Sequence, residues 1–258
     1  MVMILEKLHH FSLSNIKNTF NMISRVAILI PTYNRPEYLK KCLNSLEKTF
    51  LKKGTLIYII DDSSTNDETI ELIKNFKKKN CEIKRVFKEE NTGVQDSLLN
   101  SIEYCFNNEY DYIIILNSDI IVNNYFYDMM VYYKELFPNN IISGFNTLTL
   151  GESGKERHPI IYDGEFYVKK KTGGAPCLGL DKKIYEKYFK ETLVEYQKNR
   201  RSAYDTAATR KASDNGCDVI CIVPSVAEHI GFDSTMKHTF NPDISVDFKE
   251  YIELGNYD

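Results

Sequence analysis

Val26-Ala27-Ile28-Leu29-Ile30-Pro31-Thr32-Tyr33-Asn34-Arg35-Pro36 is the stretch whose reading decides the fold. Val26 to Ile30 is an unbroken apolar run of strand length, the pattern of a strand covered on both faces. The run stops at Pro31. Asn34 then offers a helix cap, with Pro36 in the first turn. Leu39, Cys42, Leu43 and Leu46 follow on one face at helical spacing. Working outward, Leu56 to Ile60 reads as a second strand, followed by a helix whose buried stripe is Ile70, Ile73 and Phe76. Ile83 to Phe87 is a weaker third strand, and its helix carries Val94, Leu98, Ile102, Cys105 and Phe106. Tyr112 to Leu116 is the fourth. Strand and helix alternating in this rhythm predict an α/β fold, with right-handed crossovers and a mainly parallel sheet between two layers of helices.

Parallel strands send their carboxyl ends to one edge, where open α/β sheets bind ligands. The residues just beyond those ends are Thr32-Tyr33-Asn34, Asp61-Asp62 and Asn117-Ser118-Asp119. Neither G-x-G-x-x-G nor G-x-x-x-x-G-K-[ST] follows any strand, so the glycine loops that cradle bare phosphates are missing. A carboxylate-rich rim repels phosphate. It accepts a diphosphate when a divalent cation stands between them, and Mg²⁺ or Mn²⁺ suits oxygen ligands. Taken singly, Asp61 to Thr65 is equally a turn and a helix cap, and Asp119 a strand-end residue in water. Together, at equivalent strand ends, the three motifs point to a metal and a diphosphate.

Composition narrows the alternatives. Hydrophobic residues are 43% and charged residues 27% of 258, which excludes wholesale disorder. A net charge of −3 shows no basic surplus, so a nucleic-acid partner is not expected. The runs Lys77-Lys78-Lys79 and Lys169-Lys170-Lys171 lie beside acidic residues and read as solvated faces. No apolar stretch approaches the roughly 18 residues of a membrane span. Glu6, Lys7, His9, His10 and Lys17 interrupt the start, so no signal-peptide core is read there. Six cysteines are too sparse for a disulfide scaffold. Cys217, Val219, Cys221 and Val223 alternate, as on one face of a buried strand rather than in a metal pair. The expectation is a reduced, cytoplasmic protein.

After Asn123 the pattern changes. Phe126, Met129, Met130 and Tyr133 predict a helix, and Ile141 to Leu150 and Ile160 to Val168 predict strands around the polar loop Gly151 to Glu156. The expected division is an extension over 1–24, a nucleotide-binding half over 25–123, an acceptor half of the same domain over 124–231, and a polar tail over 232–258.

With these elements in place, Ile28 to Pro36 resembles the opening of family 2 glycosyltransferases with the GT-A fold. Ile59 to Asp67, with Asp61-Asp62-Ser63-Ser64-Thr65 inside it, is similar to the family's DDGS-T element. Glu90-Asn91-Thr92-Gly93 resembles its N-x-G element, and Leu116-Asn117-Ser118-Asp119 occupies the place of its D-x-D metal motif. Order and spacing match from about Arg25 to about Gly231. The resemblance implies transfer of a sugar from a nucleotide-diphosphate donor, UDP above all, to a hydroxyl of a glycan, protein or small-molecule acceptor. By position, Thr32, Tyr33 and Asp61 or Asp62 would hold base and ribose, with Pro31, Asn34, Asn91, Asn117 and Ser118 along the same surface. Asp119 would bind the metal. The sequence departs from the family at Asn117, where an amide replaces the first acid and gives the cation no charge.

In the second half, Thr172-Gly173-Gly174-Ala175-Pro176 resembles the small-residue segment beside the sugar, where glycines such as Gly173 and Gly174 let the backbone approach a ligand. Tyr204-Asp205-Thr206-Ala207-Ala208-Thr209-Arg210 is similar to the E-D-x-D-L stretch that opens a helix and carries the base. Tyr204 replaces the Glu and the second acid is absent, leaving Asp205 as the aligned carboxylate. One base suffices for an inverting transfer. Asp205 also reads as a cap for a helix from Thr206. Pro224 to Gly231 resembles the P-S-x-x-x-H-x-G element, whose histidine, here His229, completes the metal site. His9, His10, His158 and His238 have no such context. Asn117 and Tyr204 keep open a degenerate nucleotide-sugar-binding protein. A sugar-nucleotide pyrophosphorylase is the weaker rival, since Pro31-Thr32-Tyr33-Asn34 is not its glycine-rich basic loop.

Overall fold

The computed structural model describes residues 23–148, 157–174, 176–199, 203–231 and 244–248. β1 (Val26–Thr32) is buried along its whole length, as its apolar run requires. β2 (Leu56–Asp61) lies parallel on one side of it and β4 (Tyr112–Leu116) parallel on the other. β3 (Glu82–Phe87) pairs in parallel with β2 at the sheet edge, where its residues are only half-buried or exposed. Its weak apolar signal therefore marks an edge strand.

Helices cover both faces. α1 (Pro36–Lys48), α2 (Asp67–Asn75) and α4 (Phe126–Leu136) bury Leu39, Leu46, Ile73 and Phe126 in one core layer. α3 (Val94–Asn107), α5 (Lys190–Lys198) and α6 (Tyr204–Ser213) bury Leu98, Ile102, Leu193 and Ala208 in the other. In the stripe expected on α2, Ile70 is half-buried and Thr69 takes the inward place.

Beyond β4 the sheet becomes mixed. β9 (Cys177–Asp181) is antiparallel to β4 and to β6 (Ile141–Ser143), and β10 (Val219–Ile222) runs parallel to β6. β8 (Tyr167–Lys170) and β7 (Ile160–Asp163) close that edge antiparallel, making nine strands in the order β3-β2-β1-β4-β9-β6-β10-β8-β7. β5 (Ile120–Val122) and β11 (Ala227–His229) form a separate antiparallel pair. A helical run through Lys182–Ile184 and a π-turn Tyr185–Phe189 joins β9 to α5.

Three expectations are corrected. The strand from Ile141 stops at Ser143, because the Gly144 carbonyl accepts the Val226 and Ala227 amides instead of continuing a ladder. The strand from Ile160 to Val168 is a hairpin, turned at Gly164, whose amide donates to the Tyr167 carbonyl. The extension ends sooner than Ser24: Ile23 packs on the core, and the Ser24 amide and hydroxyl donate to Asp111 at 2.9 and 2.7 Å. The rest of the extension (1–22), the loop Gly151 to Glu156, Ala175 and most of the tail lie outside the described residues. Cys217, Val219 and Cys221 share one core layer, and all six cysteines are free thiols. No helix among the described residues is long and apolar enough to cross a membrane.

Gly179 on β9 lies opposite Ile114, and a Cβ there would sit 1.6 Å from the buried Tyr112 hydroxyl. Gly179→Ala should cost about 1–3 kcal/mol as Tyr112 is displaced, read from the urea midpoint at unchanged m. An alanine variant as stable as the parent would contradict this register of β9 on β4.

Candidate functional site

The carboxyl ends of β1, β2 and β3 are stitched together by backbone. Thr32 stands opposite Asp61, the Asp62 amide donates to the Thr32 carbonyl at 2.9 Å, and the Lys88 amide donates to the Asp61 carbonyl at 3.0 Å. Thr32 is buried, and its Oγ1 has no hydrogen-bond partner among the described residues. Tyr33, next in sequence, is exposed at the rim. The buried Asp61 accepts the Ser64 amide at 2.9 Å and its hydroxyl at 2.5 Å, which folds the Asp61 to Ser64 turn back on itself.

Asn34 does not cap α1 as expected. Asn34 and Arg35 both adopt positive φ (52° and 58°), and Arg35 takes the cap position without a side-chain bond. The Asn34 carboxamide oxygen instead accepts the Thr65 and Asn66 amides, each at 3.1 Å, and its own amide donates to Ser64 Oγ at 2.7 Å. It ties the loop after β1 to the loop after β2.

Asp62 is occupied on the other side. Its Oδ1 receives Lys88 Nζ at 2.6 Å and the Thr92 amide at 3.1 Å, and its Oδ2 the Gly93 amide at 2.9 Å. Lys88 also reaches Asp96 at 3.0 Å and the Thr92 hydroxyl. This knot holds the loop carrying the exposed Asn91 against the end of β2. Lys88 was missed by the sequence reading; its signal was a lone cation at the end of β3, level with a pair of acids.

Asp119 has two basic neighbours. Pairing of β5 with β11 sets His229 opposite Ile120, and the Ile230 amide donates to the Asp119 carbonyl at 2.9 Å. His229 Nε2 therefore lies 3.3 Å, and Arg35 Nη1 3.0 Å, from Asp119 Oδ2. Burial pushes the Asp119 carboxyl up, but the hydrogen bond and charge of His229 and the charge of Arg35 outweigh it and hold it below the usual range. Gly231 lets the chain pass over this group, since a Cβ would meet Asp119 Oδ2 at 2.3 Å. The sequence reading joined Asp119 to His229 and overlooked Arg35. These two offer an oxygen and a nitrogen donor, and among the described residues no group of three or more His, Cys, Asp and Glu could hold a metal.

The glycine segment leads from this rim to Asp205. Pro176 accepts the Asn117 amide at 3.1 Å, and two residues earlier Gly174 is close to Asp205, whose Oδ2 lies 3.8 Å from the point a Gly174 Cβ would occupy. The Gly173 amide donates to Thr209 Oγ1 at 3.1 Å, and the Thr209 hydroxyl to the Asp205 carbonyl at 2.7 Å. α6 begins at Tyr204, so Asp205 lies in its first turn and is not its cap; its Oδ1 accepts the Thr206 amide at 2.8 Å. Tyr204 is buried in the core. His158, given no role by the sequence reading, is buried with Nδ1 2.9 Å from Thr172 Oγ1.

A family profile described as Glycosyl transferase family 2 matches residues 27–215. A processive diacylglycerol beta-glycosyltransferase of Mycoplasma genitalium is 33% identical over 99 residues, covering 33% of this chain and 28% of that protein. A poly-beta-1,6-N-acetyl-D-glucosamine synthase of Staphylococcus epidermidis is 29% identical over 125 residues, covering 48% and 28%. The matched parts thus span under a third of either relative. Among solved structures, S. aureus TarS 1-349 in complex with UDP-GlcNAc shares the fold, with TM-score 0.55 at 16% identity over 79% of this chain and 57% of that one.

Asp96 gives the knot a pH signature. Burial pushes its carboxyl up, but hydrogen bonds from Thr92, Lys88 and Gln197 and the Lys88 charge bring it below the ordinary range. A carboxylate depressed in the folded state stabilises above its unfolded pKa of about 3.9 and loses that contribution as pH falls through the folded value. Asp96→Asn should lower stability near neutral pH and flatten its fall below about pH 4. Urea midpoints across that range measure both effects, and an unchanged acid slope would contradict the assignment.

Proposed function

This chain belongs to glycosyl transferase family 2, and from that membership we propose that it transfers a sugar from a UDP-sugar to an acceptor hydroxyl with inversion. The observation that carries the reading is the gathering of Thr32, the Asp61 to Ser64 turn, Asn117 and the Asp119–His229 pair at the carboxyl edge of β1, β2 and β4. The UDP-GlcNAc held by the structurally similar TarS supports the choice of a uridine donor.

In this reading the buried Thr32 hydroxyl and the Tyr33 ring receive the nucleoside, against loops shaped by Asn34, Asp61 and Asp62. Asn117 and Ser118 border the ribose. The residues at Asp119 fit a cation that arrives with its diphosphate: one anionic oxygen and one imidazole nitrogen stand together, and Mg²⁺ characteristically takes one or two protein ligands plus phosphate and water. Mn²⁺ or Mg²⁺ held by Asp119 and His229 would neutralise the diphosphate as it leaves. Arg35 adds a fixed positive charge to the same wall.

The chemistry needs one base. The acceptor oxygen attacks the anomeric carbon, its proton passes to Asp205, and the bond from sugar to phosphate breaks with its electron pair going to UDP. A single in-line displacement inverts the centre with no covalent intermediate, so the protein contributes mainly positioning and electrostatics.

Titration calorimetry with UDP-GlcNAc should show binding with Mn²⁺ that weakens at least about tenfold (~1.4 kcal/mol) in excess EDTA. Asp119→Ala should abolish the difference. Equally tight binding in EDTA would exclude the bridging cation.

Asp205→Asn should leave UDP-GlcNAc affinity near the parent value and lower UDP release by about 10² to 10⁴. Loss of donor affinity together with rate would move Asp205 to the donor side. Near-normal turnover would move the base elsewhere, with Glu228 and Asp163 next to be tested.

A further inference from the structure

Arg35 holds its hydrogen bonds half made. Its Nη1 lies 3.0 Å from Asp119 Oδ2, an oxygen that His229 Nε2 also approaches at 3.3 Å. Its Nη2 is buried and has no hydrogen-bond partner among the described residues. The chain at Gly231 runs close over that nitrogen: a Cβ there would stand 2.9 Å from Nη2 and 2.3 Å from Asp119 Oδ2. A guanidinium nitrogen shut away from water without an acceptor is costly, so the ion pair is an incomplete one.

The fork also matches this carboxylate poorly. Guanidinium donors lie in one plane and suit an anion that presents oxygens side by side, as a phosphate does. Here Arg35 and His229 both turn to the single oxygen Oδ2. The guanidinium is placed to change partners. Its Cζ sits over the Tyr38 ring, 4.2 Å from the centroid, a contact that uses none of its N–H donors. The side chain is 20% exposed, so it has a way out on the solvent side. The backbone beneath it is held, because Asn34, the residue before, accepts the Thr65 and Asn66 amides.

We propose that Arg35 is an exchangeable ligand of the donor site, bound to Asp119 when the site is empty and to the donor's diphosphate when it is filled. The inference rests on the transferase reading above. Arg35 leaves Asp119 when a divalent cation claims Oδ2, since the two positive groups repel each other and compete for the same lone pairs. The released fork meets the diphosphate, whose oxygens satisfy Nη1 and Nη2 together. Throughout the exchange Asp119 keeps a cationic partner and the guanidinium an anionic one, so no charge is left unpaired at this wall. Cation and nucleotide thereby help each other bind, beyond their direct contact.

Calorimetry on the full-length protein, with UDP and MnCl₂ as probes, tests the exchange. In excess EDTA, Asp119→Asn should bind UDP about tenfold tighter than the parent, because it frees the guanidinium. Asp119→Asn/Arg35→Met, which keeps the stem over Tyr38, should lose that gain. Asp119→Asn/Arg35→Lys, with the charge but not the fork, should retain only part of it. With MnCl₂ alone, Arg35→Met should bind the ion about tenfold tighter than the parent, and at saturating Mn²⁺ it should bind UDP about tenfold more weakly. A gain that persists in Asp119→Asn/Arg35→Met would trace it to lost repulsion between carboxylate and phosphate, and would overturn the exchange. So would an Arg35→Met protein that binds both probes more weakly, the mark of a merely structural pair. A parent that binds no UDP even with Mn²⁺ overturns the transferase reading and the exchange together, whereas the other two results overturn the exchange alone.

Discussion

Parallel pairing of β1 between β2 and β4 is the constraint on which everything else rests. It sends three strand ends to one edge, so the loops that follow must lie side by side. Backbone bonds from Asp62 to Thr32 and from Lys88 to Asp61 then lock those ends at a fixed register. A slip of one residue would turn Thr32 and Asp61 to the opposite face of the sheet. The mixed half is attached to this edge through β9 on β4, which brings Pro176 to Asn117 and, behind it, Gly174 to Asp205.

The acids at this edge are less bare than their sequence suggests. Asp62 is shared by Lys88 and two loop amides, Asp61 by Ser64, and Asp119 by Arg35 and His229. Removing a partner from any of these largely buried carboxylates would leave a charge that the low-dielectric surroundings penalise. The internal cations therefore let acidic residues crowd at one edge without mutual repulsion. They also give the proposed diphosphate site fixed positive charge on its own wall.

The sequence revealed the first half well, because continuous apolar runs and helical stripes are strong signals when strands are covered on both faces. β4 was legible to the residue and α3 by its buried stripe, while β1 and β2 run past the expected ends at Ile30 and Ile60 to Thr32 and Asp61. In the second half α4 was legible from Phe126, Met129, Met130 and Tyr133, but the strands were not: β6 has three residues, and the hairpin of β7 and β8 hides its turn at Gly164 between apolar and aromatic residues that read as one run. Asp119 with His229 was legible through motif resemblance. Arg35 was not, because its role depends on positive backbone angles at Asn34 and Arg35 that swing the guanidinium inward. His158 was invisible for a similar reason. Its partner Thr172 lies 14 positions away and meets it only in the fold.

The central claim is that the carboxyl edge of β1, β2 and β4 is the donor site, and amide hydrogen exchange reads it most directly. With UDP-GlcNAc and Mn²⁺ added, the account predicts slower exchange at residues 32–35, 61–66, 88–93, 117–120 and 228–231, which are far apart in sequence and joined only at this edge. Protection confined to the opposite, amino-terminal edge of the sheet, around Arg25 and Tyr110, would contradict it, as would no protection at saturating ligand.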